Sequence, residues 1–314
     1  MTNVIKHALV TGGAGFIGSH LVDALIDQGS RVTVIDNLST GHKENLQGVG
    51  PGLEFQEGDI RDRDLLKEMM DGVDVVFHQA AVVSVPLSVA QPLASAEVNE
   101  MGTLAVLETA RQAGCRRVVL ASSSAVYGDD PQLPKREEMA LRPLSPYAVQ
   151  KMVGEYYAGL YGALYGLETA CLRYFNVFGP RQDPSSPYSG VISIFMDRAV
   201  AGRAPVIYGD GEQTRDFVYV QDVVAANLRA ATEKSAAGRV FNIGTGHTIT
   251  VSGLWQSVAK LAGIALSPEY QAARDGDILH SVAAIDAARQ HLGFAPEVGF
   301  EDGLTRTYNW YLGR

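Results

Sequence analysis

The segment HALVTGGAGFIGSH, residues 7–20, carries the pattern that decides the fold. A short run of apolar and β-branched residues leads directly into Gly12, Gly15 and Gly18, after which apolar residues recur at helical spacing. A strand, a glycine turn and a helix in this order are typical of the first βαβ unit of a parallel sheet. Glycine allows the sharp turn and the close approach of a bound pyrophosphate, and the helix N-terminus offers N–H groups to the anion.

Strands and helices continue to alternate as far as residue 175. Further strand-like runs are RVTVID (31–36), LEFQEGDI (53–60), DVVFHQAA (74–81), RVVLASS (117–123) and ETACLRYF (168–175). Helical patterns lie near residues 62–71, 93–113 and 147–165. With roughly six or seven strands before residue 176, the sequence predicts an α/β protein built on a doubly wound parallel (Rossmann) sheet.

The pattern changes after residue 175. Loops rich in Pro, Gly and Ser separate shorter helices near residues 191–202, 221–234, 250–262 and 301–312. We expect a first domain over residues 1–175 and a smaller mixed α/β C-terminal lobe over 176–314, with a return of the chain to the first domain near 216–243. No flexible linker separates the two, which predicts a shared cleft, the usual place for a ligand.

Composition excludes several classes of protein. The chain has 314 residues, 46% of them hydrophobic, and a mean hydropathy of +0.01, which is typical of a globular protein. A net charge of −9 disfavours a nucleic-acid partner. Two cysteines beside apolar neighbours favour packed free thiols and a cytoplasmic location, and the lack of any long apolar stretch predicts no membrane partner and no leader peptide. The seven histidines show no metal-ligand spacing, so we expect no metal site.

An acidic residue ends each of the next two strands. Asp36 follows Gly18 by 18 residues, where a carboxylate can accept both ribose hydroxyls of a dinucleotide; a turn or cap aspartate is the alternative. Asp36 would repel a 2′-phosphate and the next two residues supply no arginine, which favours NAD over NADP. Asp59 ends the third strand, where it faces the adenine or caps the helix near 62–71.

A second group of residues follows the strand at 117–123. Tyr147 and Lys151 are four residues apart in a predicted helix and therefore share one face of it. A lysine ammonium beside a phenol, together with a nicotinamide cation, can lower the pKa of the phenol so that it acts as a general base. The Ser123 hydroxyl at the strand end can bind the same substrate oxygen.

Five motifs carry a family resemblance. They are TGGAGFIGSH (11–20), SSSAVYG (122–128), YAVQK (147–151), RYFNVFGPRQ (173–182) and RDFVYVQDV (215–223). Together they resemble the extended short-chain dehydrogenase/reductase family over nearly the whole chain, and within it the nucleotide-sugar 4-epimerases that act on UDP-glucose or UDP-N-acetylglucosamine. The resemblance implies an NAD-binding domain over 1–175 and a nucleotide-sugar-binding lobe over 176–314.

The resemblance assigns the catalytic roles. Tyr147 is implied as the base toward the sugar 4-hydroxyl, Lys151 as the residue that holds the nicotinamide ribose, and the serine four residues before Tyr127, Ser123, as the proton-shuttling hydroxyl. Ser122 and Ser124 are one position away, and Ser124 stays the main alternative. The implied NAD-binding residues are Gly12, Gly15, Phe16, Ile17, Gly18, Asp36, Asn37, Asp59, Ile60, Gln79, Ala80, Ala81, Asn99, Tyr147 and Lys151.

The resemblance also implies contacts to a UDP-sugar. Asn176 would contact the diphosphate, with a turn or cap role as the alternative. Arg215 and Arg274 would bind the phosphates, since a planar guanidinium matches phosphate oxygens, and Asp277 would bind the uridine ribose. Val191 and Tyr208 would pack around the uracil.

The hexose contacts are implied in the same way. Ser84 and Ser88 would reach the hexose, and so would Ser123, Ser124 and Tyr147. Relatives often carry arginine where this chain has Leu87, a difference that affects the expected contacts of Ser84 and Ser88 with the hexose. Ser281 occupies the position of a bulky tyrosine in galactose-restricted epimerases, so we expect room for a 2-acetamido group.

The expected activity is NAD-dependent 4-epimerisation of a UDP-hexose through a 4-keto intermediate. Dehydratases and decarboxylases of the family carry acidic residues in the loop that here has Ser124 and Ala125. UDP-glucuronate 4-epimerisation and a 4-keto-sugar reductase with net redox turnover remain alternatives, whereas a non-catalytic NAD-binding protein would be expected to lack Tyr147 or Lys151. A homodimer formed through the helices near 93–113 and 147–165 is implied by the resemblance.

Overall fold

The computed structural model of the protein describes residues 4–184, 190–273 and 278–313. In the first part of the chain the strands β1 to β6 are His7–Thr11, Arg31–Asp36, Leu53–Glu57, Val75–His78, Arg117–Ser123 and Glu168–Tyr174. The helices α1 to α6 are Phe16–Asp27, Arg63–Met69, Val85–Ala90, Pro92–Ala96, Thr103–Gln112 and Pro146–Tyr165. Short 3₁₀ helices are Lys43–Leu46 and Ser124–Tyr127.

The second part of the chain has shorter elements. Its strands β7 to β13 are Asn176–Phe178, Val206–Tyr208, Thr214–Arg215, Phe217–Tyr219, Arg239–Ile243, Ile249–Thr250 and Glu269–Gln271. Its helices α7 to α11 are Val191–Val200, Val220–Thr232, Val251–Ala262, Asp286–Leu292 and Phe300–Leu312, with a 3₁₀ turn at Lys234–Ala236.

Seven parallel strands in the described residues form the central sheet, in the order β11-β6-β5-β4-β1-β2-β3. Strands β1 and β4 are buried along their whole length, as expected where helices cover both faces of a parallel sheet. The predicted α/β class with a parallel, doubly wound sheet is confirmed. Six of these strands precede residue 176, and the seventh, β11, comes from residues 239–243.

The strand order reverses between β1 and β4, and this reversal positions the site. One chain segment runs outward from β1 to β3 and the next runs outward from β4 to β6. A crevice opens outside the carboxyl ends of the strands at such a switch point, and ligands of open α/β sheets bind there. The glycine turn after β1, the loop after β4 and the end of β5 therefore meet at one edge.

Three small two-stranded sheets belong to the second part of the chain: β10 with β7, β12 with β9, and β13 with β8. Their apolar core is separate from the cores on the two faces of the large sheet, and it contains Phe178, Phe195, Trp255 and Leu304. Among the residues that the structure describes, no helix is both long and apolar enough to cross a bilayer.

The helix predicted near 93–113 is interrupted. A π-helical turn, Glu97–Gly102, separates α4 from α5. The Thr103 hydroxyl donates to the Asn99 carbonyl at 2.6 Å, and the Asn99 side chain leaves the helix to bind the loop after β4. An inserted π turn re-aims a side chain in this way and is frequent at functional sites.

Candidate active site

The turn between β1 and α1 can hold a diphosphate. Gly12 has a φ of +70°, and a Cβ there would lie 2.7 Å from the Ala80 nitrogen. A Cβ on Gly18 would lie 2.2 Å from the Gly12 carbonyl oxygen, so a side chain would force α1 away from β1. Gly15 is the N-cap of α1 and has no side chain to occupy the first N–H groups of the helix, which leaves them suited to an anion.

The Asp36 carboxylate holds this turn from the end of β2. It is buried and accepts hydrogen bonds from the backbone N–H groups of Ala14 at 2.9 Å and Leu38 at 2.8 Å. Burial raises the pKa of Asp36, and these N–H groups lower it. A Cβ on Gly41 would lie 2.9 Å from both carboxylate oxygens, so the loop after β2 needs glycine to pass this group.

Asp59 is paired with its neighbours rather than capping a helix. Its carboxylate accepts from Asn37 at 3.0 Å and from the Arg61 guanidinium at 2.8 Å, and Arg61 lowers the pKa of Asp59 to about 2. The N-cap of α2 is Asp62, which accepts from the Asp64 and Leu65 backbone. The cap interpretation of Asp59 is therefore wrong, because α2 begins four residues later, at Arg63. The contact of Asp59 with adenine stays a prediction.

The loop after β4 is held by Asn99. The Asn99 carboxamide accepts from Val82 N at 2.8 Å and donates to Val82 O at 2.9 Å and to Gln150 Oε1 at 2.7 Å. Both amide hydrogens are thus used, and the side chain is buried. Asn99 therefore positions the loop that carries Ala80 and Ala81, and its contact with the cofactor stays a prediction.

The other residues expected around the cofactor line the same edge. Phe16 and Ile17 are half-buried in the first turn of α1. The Gln79 amide donates to the Tyr174 hydroxyl at 3.1 Å. Ile60 is buried and packs against Gly102, where a Cβ would lie 2.6 Å from Ile60 Cδ1.

Tyr147, Lys151 and Ser123 come together where α6 meets the end of β5. Tyr147 is 9% exposed and lies in the first turn of α6, which is capped by the Ser145 hydroxyl. The Lys151 ammonium is 5.9 Å from the centre of the Tyr147 ring and donates to the Ala121 carbonyl at 2.8 Å. The Ser123 side chain lies close enough to the Tyr147 phenol to lower its pKa. This arrangement can exchange a proton with a substrate hydroxyl placed beside the phenol.

Burial dominates the pKa values of the pair. It lowers the pKa of Lys151 to about 8, although the negative charge of Glu155 raises it. Burial also raises the pKa of Tyr147, while the Ser123 side chain beside it lowers it. The expected acidification of the phenol by lysine together with a nicotinamide cation stays a prediction. The phenol keeps its proton at neutral pH until another positive charge reaches it.

The serines at the end of β5 have different partners. The Ser123 hydroxyl meets the phenol and also accepts from Ala125 N at 3.2 Å. The Ser122 hydroxyl instead donates to Glu155, and Ser124 begins the 3₁₀ helix Ser124–Tyr127. This geometry favours Ser123 over Ser124 for the proton-shuttling role, which stays a prediction.

The two serines expected to reach the hexose both have structural partners. Ser84 is the N-cap of α3 and accepts from Leu87 N at 3.0 Å. Ser88 has no exposed surface; its hydroxyl donates to Val85 O at 2.7 Å and accepts from Tyr147 N at 3.1 Å. The hydroxyl of Ser88 joins α3 to the start of α6, and its expected contact with the sugar stays a prediction.

The second part of the chain brings several expected residues to one side. Asn176 begins β7 and its N–H donates to Asp216 O at 3.0 Å, so it is not a cap. Arg215 Nη1 donates to the carbonyls of Thr214 and Leu279 at 2.9 and 3.2 Å. Ser281 is buried, with its N–H on the Thr214 carbonyl. Val191 begins α7 and Tyr208 ends β8, while Arg274 and Asp277 lie outside the described residues.

Asp216 supports this part of the site and was not predicted from the sequence. Its fully buried carboxylate accepts from the N–H and hydroxyl of Thr245 at 2.8 and 2.7 Å, from Gly246 N at 2.9 Å and from Ala283 N at 3.1 Å. It therefore fixes the segment that carries Ser281 beside β9. Its partners are 29 to 67 positions away, so no local spacing indicates this role.

His78 has the expected structural role. Its ring nitrogens bond the hydroxyls of Thr11 at 2.7 Å and Thr103 at 3.0 Å, and burial lowers its pKa to about 3. The described part of the chain has no group of three or more His, Cys, Asp or Glu side chains arranged to hold a metal ion.

Known proteins resemble this chain over nearly its full length. The model of the NAD dependent epimerase/dehydratase family matches residues 8–244. A putative UDP-glucose 4-epimerase of Methanocaldococcus jannaschii is 45% identical over 304 residues, which are 96% of this chain and 97% of that protein.

Two solved structures are also similar. The UDP-N-acetylglucosamine 4-epimerase from Methanobrevibacter ruminantium in complex with UDP-N-acetylmuramic acid has a TM-score of 0.94, 42% identity, and coverage of 98% of this chain and 99% of that chain. The Thermus thermophilus UDP-glucose 4-epimerase in complex with NAD has a TM-score of 0.89, 40% identity, and the same coverage of 98% and 99%.

Proposed function

Because the chain belongs to the NAD dependent epimerase/dehydratase family, we propose that it inverts C4 of a UDP-hexose through a 4-keto intermediate. The substrates are UDP-N-acetylglucosamine and UDP-N-acetylgalactosamine, UDP-glucose and UDP-galactose, or both pairs. The observation that carries this proposal is the meeting of Tyr147, Lys151 and Ser123 beside the glycine turn. The family membership and NAD dependence predicted from the motifs are confirmed.

The residues around the turn fit NAD. Gly12 and Gly18 leave a cradle that a Cβ would fill, and Asp36 lies at the end of β2, where it would accept the adenosine ribose hydroxyls. When bound, NAD accepts a hydride from the sugar and returns it. We assign the cofactor to residues 1–175 with the return segment near 216–243, and the nucleotide sugar to 176–314.

The chain's own residues handle the proton. Tyr147 would remove the proton of the 4-hydroxyl as C4 loses its hydride, and return it when the hydride comes back to the opposite face of the ring. Ser123, which lies beside the phenol, would bind the same sugar oxygen and hold it within reach. Lys151, whose pKa is about 8, would keep a positive charge next to the phenolate at neutral pH.

The residues of the loop after β5 favour epimerisation over elimination. A dehydratase must protonate a departing hydroxyl, which needs a carboxylic acid at the sugar. Ser123 is followed by Ser124 and Ala125, neither of which can supply that proton. The chemistry that the site supports is therefore removal and return of one hydride.

A product assay tests the function directly. The purified protein is incubated with UDP-glucose, UDP-N-acetylglucosamine or UDP-glucuronate without added NAD, and the sugars are resolved by chromatography. Inversion at C4 with either of the first two supports the proposal. Inversion of UDP-glucuronate alone would instead select the glucuronate alternative. Stoichiometric consumption of NADH with a 4-keto sugar and no inversion would select the reductase.

Ser281 predicts tolerance of a 2-acetamido group. It is a small side chain whose backbone is held beside β9 by the Thr214 carbonyl. We expect Ser281→Tyr to lower kcat/KM for UDP-N-acetylglucosamine by about 100-fold and to leave UDP-glucose within about threefold, because a larger side chain rejects the larger sugar by steric clash. Ser281→Ala serves as the control. Equal effects of the tyrosine on both sugars would contradict this assignment.

We also propose a homodimer formed through α6 and the α4–α5 helix. Tyr156, Leu160 and Leu164 are four residues apart along α6 and are 61, 51 and 67% exposed, and Leu93 and Met101 are exposed on the neighbouring helix. A continuous apolar stripe of this kind is typical of a protein interface.

A charge in this stripe is expected to break the dimer. Leu160→Glu should elute as a monomer in size-exclusion chromatography with light scattering. Burying an unpaired carboxylate in the interface costs more free energy than the dimer contact contributes. Leu312→Glu, an exposed leucine at the end of α11, should leave the mass unchanged. A wild-type protein that is monomeric at micromolar concentration would refute the interface.

A further inference from the structure

The last three residues of β5 each contact a different turn of α6. The Ala121 carbonyl accepts from the Lys151 ammonium at 2.8 Å, and the Ser123 side chain lies beside the Tyr147 phenol. Between them, the Ser122 hydroxyl donates to Glu155 Oε1 at 2.5 Å. Two of these three contacts involve proposed catalytic groups, and the third involves a carboxylate to which the proposed function gives no role.

Glu155 belongs to a buried ion pair. It is 7% exposed and Arg173, on β6, is 3% exposed. Arg173 Nε and Nη2 donate to the two carboxylate oxygens at 2.9 and 2.7 Å, and its Nη1 donates to the Tyr127 hydroxyl at 2.8 Å. The Tyr127 hydroxyl in turn donates to Asn242 Oδ1 on β11 at 2.7 Å. The carboxylate thus connects α6 to three neighbouring strands, β5, β6 and β11.

A buried ion pair is weak evidence for added stability. Desolvation of two charges offsets most of their attraction, and apolar replacements are often as stable. Tyr147, Lys151 and Glu155 follow one another at four-residue spacing on one face of α6, which places the carboxylate one turn from the proposed catalytic ammonium.

We propose that Glu155 is a positioning residue for the reaction: through Ser122 it fixes the end of β5 against α6, and it places a negative charge one helical turn from the Lys151 ammonium. The proposal rests on the epimerase function given above. It explains why a carboxylate is held beneath the site by both Ser122 and Arg173.

The charge effect has a defined sign. Burial lowers the pKa of Lys151 to about 8, and Glu155 opposes that shift. Removal of the carboxylate charge lowers the pKa of Lys151 further, so the ammonium is lost at a lower pH. The charged or titratable groups around these two side chains are Tyr147, His78, Arg173, Tyr127, Cys171 and Glu137.

The experiment compares Glu155→Gln with the wild-type protein by the pH profile of kcat, using the UDP-hexose that the wild type inverts. We expect the alkaline limb of Glu155→Gln to move about one pH unit lower, as loss of a nearby opposite charge requires. The KM for the sugar should change by less than about twofold, because Glu155 lies outside the predicted sugar contacts. A profile that superimposes on the wild-type profile would overturn the proposal.

Glu168→Gln is the matched control. Glu168 pairs with the buried Arg117 at 2.6 Å, at the amino ends of the same two strands, far from the site. Glu168→Gln should lower the melting temperature without moving the pH profile of kcat. If Glu168→Gln shifts the profile as much as Glu155→Gln does, Glu155 has only a structural role.

If Glu155→Gln does not fold, Ser122→Ala tests the proposal instead, because this variant leaves the ion pair between Glu155 and Arg173 intact. We expect kcat to fall about tenfold, since small misplacement of catalytic groups is costly. Both the pH profile and KM should be unchanged, and Ser122→Thr should restore part of the loss. A wild-type kcat in Ser122→Ala would refute the positioning role. A wild-type protein inactive on every UDP-sugar would refute the proposed function instead.

Discussion

Replacing Tyr147 with phenylalanine is expected to lower kcat by a factor of about 10³, within the range that positioned acid–base groups contribute. The phenol is the group of the described site that lies beside both Ser123 and Lys151. Without its oxygen, the 4-hydroxyl has no proton acceptor as the hydride leaves. The ring itself packs as before, so the melting temperature should stay within a few degrees.

Initial rates of C4 inversion measure this effect, and the NAD content of the purified variant shows that the cofactor site is intact. Tyr161→Phe is the matched control, since Tyr161 lies on the same helix and its hydroxyl bonds Glu108 at 3.0 Å, away from the site. It should keep the wild-type rate. Turnover of Tyr147→Phe within twofold of the wild type would remove the proposed mechanism.

Lys151→Met is expected to lower kcat by about 10² to 10³ and to abolish the alkaline limb of the pH profile. The wild-type rate should fall as the pH rises through about 8, because the pKa of Lys151 has that value and the ammonium is the active form. Methionine fills a similar volume without a charge, so its residual rate should not respond to pH in that range.

Rates between pH 6 and 10 with saturating substrate test this prediction. Lys260→Met, on the exposed face of α9, is the control and should retain both the rate and the alkaline limb. A Lys151→Met variant that keeps the limb near pH 8 would show that another group titrates there.

Much of the fold could be predicted from short-range pattern. The glycines at 12, 15 and 18 lie on the turn and first helix for the steric reasons that their spacing indicates. The helix at Pro146–Tyr165 agrees with its apolar periodicity to within one residue. Each of these features depends on residues within one or two turns of each other, and such neighbours are visible in a sequence.

Other site features depended on distant partners. The buried Ser88 hydroxyl accepts a hydrogen bond from Tyr147 N, 59 positions away in the sequence. The Asn99 carboxamide is hydrogen-bonded to Val82 and Gln150. In each case the residue type was compatible with ligand contact, but the packing of another element decided which groups were left to meet a ligand.

The sequence by itself determined the parallel α/β fold, the glycine turn after β1 and the identity of the tyrosine and lysine pair, because glycine conformation, alternation and helical spacing are local properties. Only the tertiary structure decided the charge states in the site and the support beneath it. Burial sets the pKa values of Tyr147 and Lys151, and the Glu155–Arg173 pair joins elements far apart in the chain. Desolvation and long-range hydrogen bonds depend on every atom packed around a group, and no spacing along the chain records them.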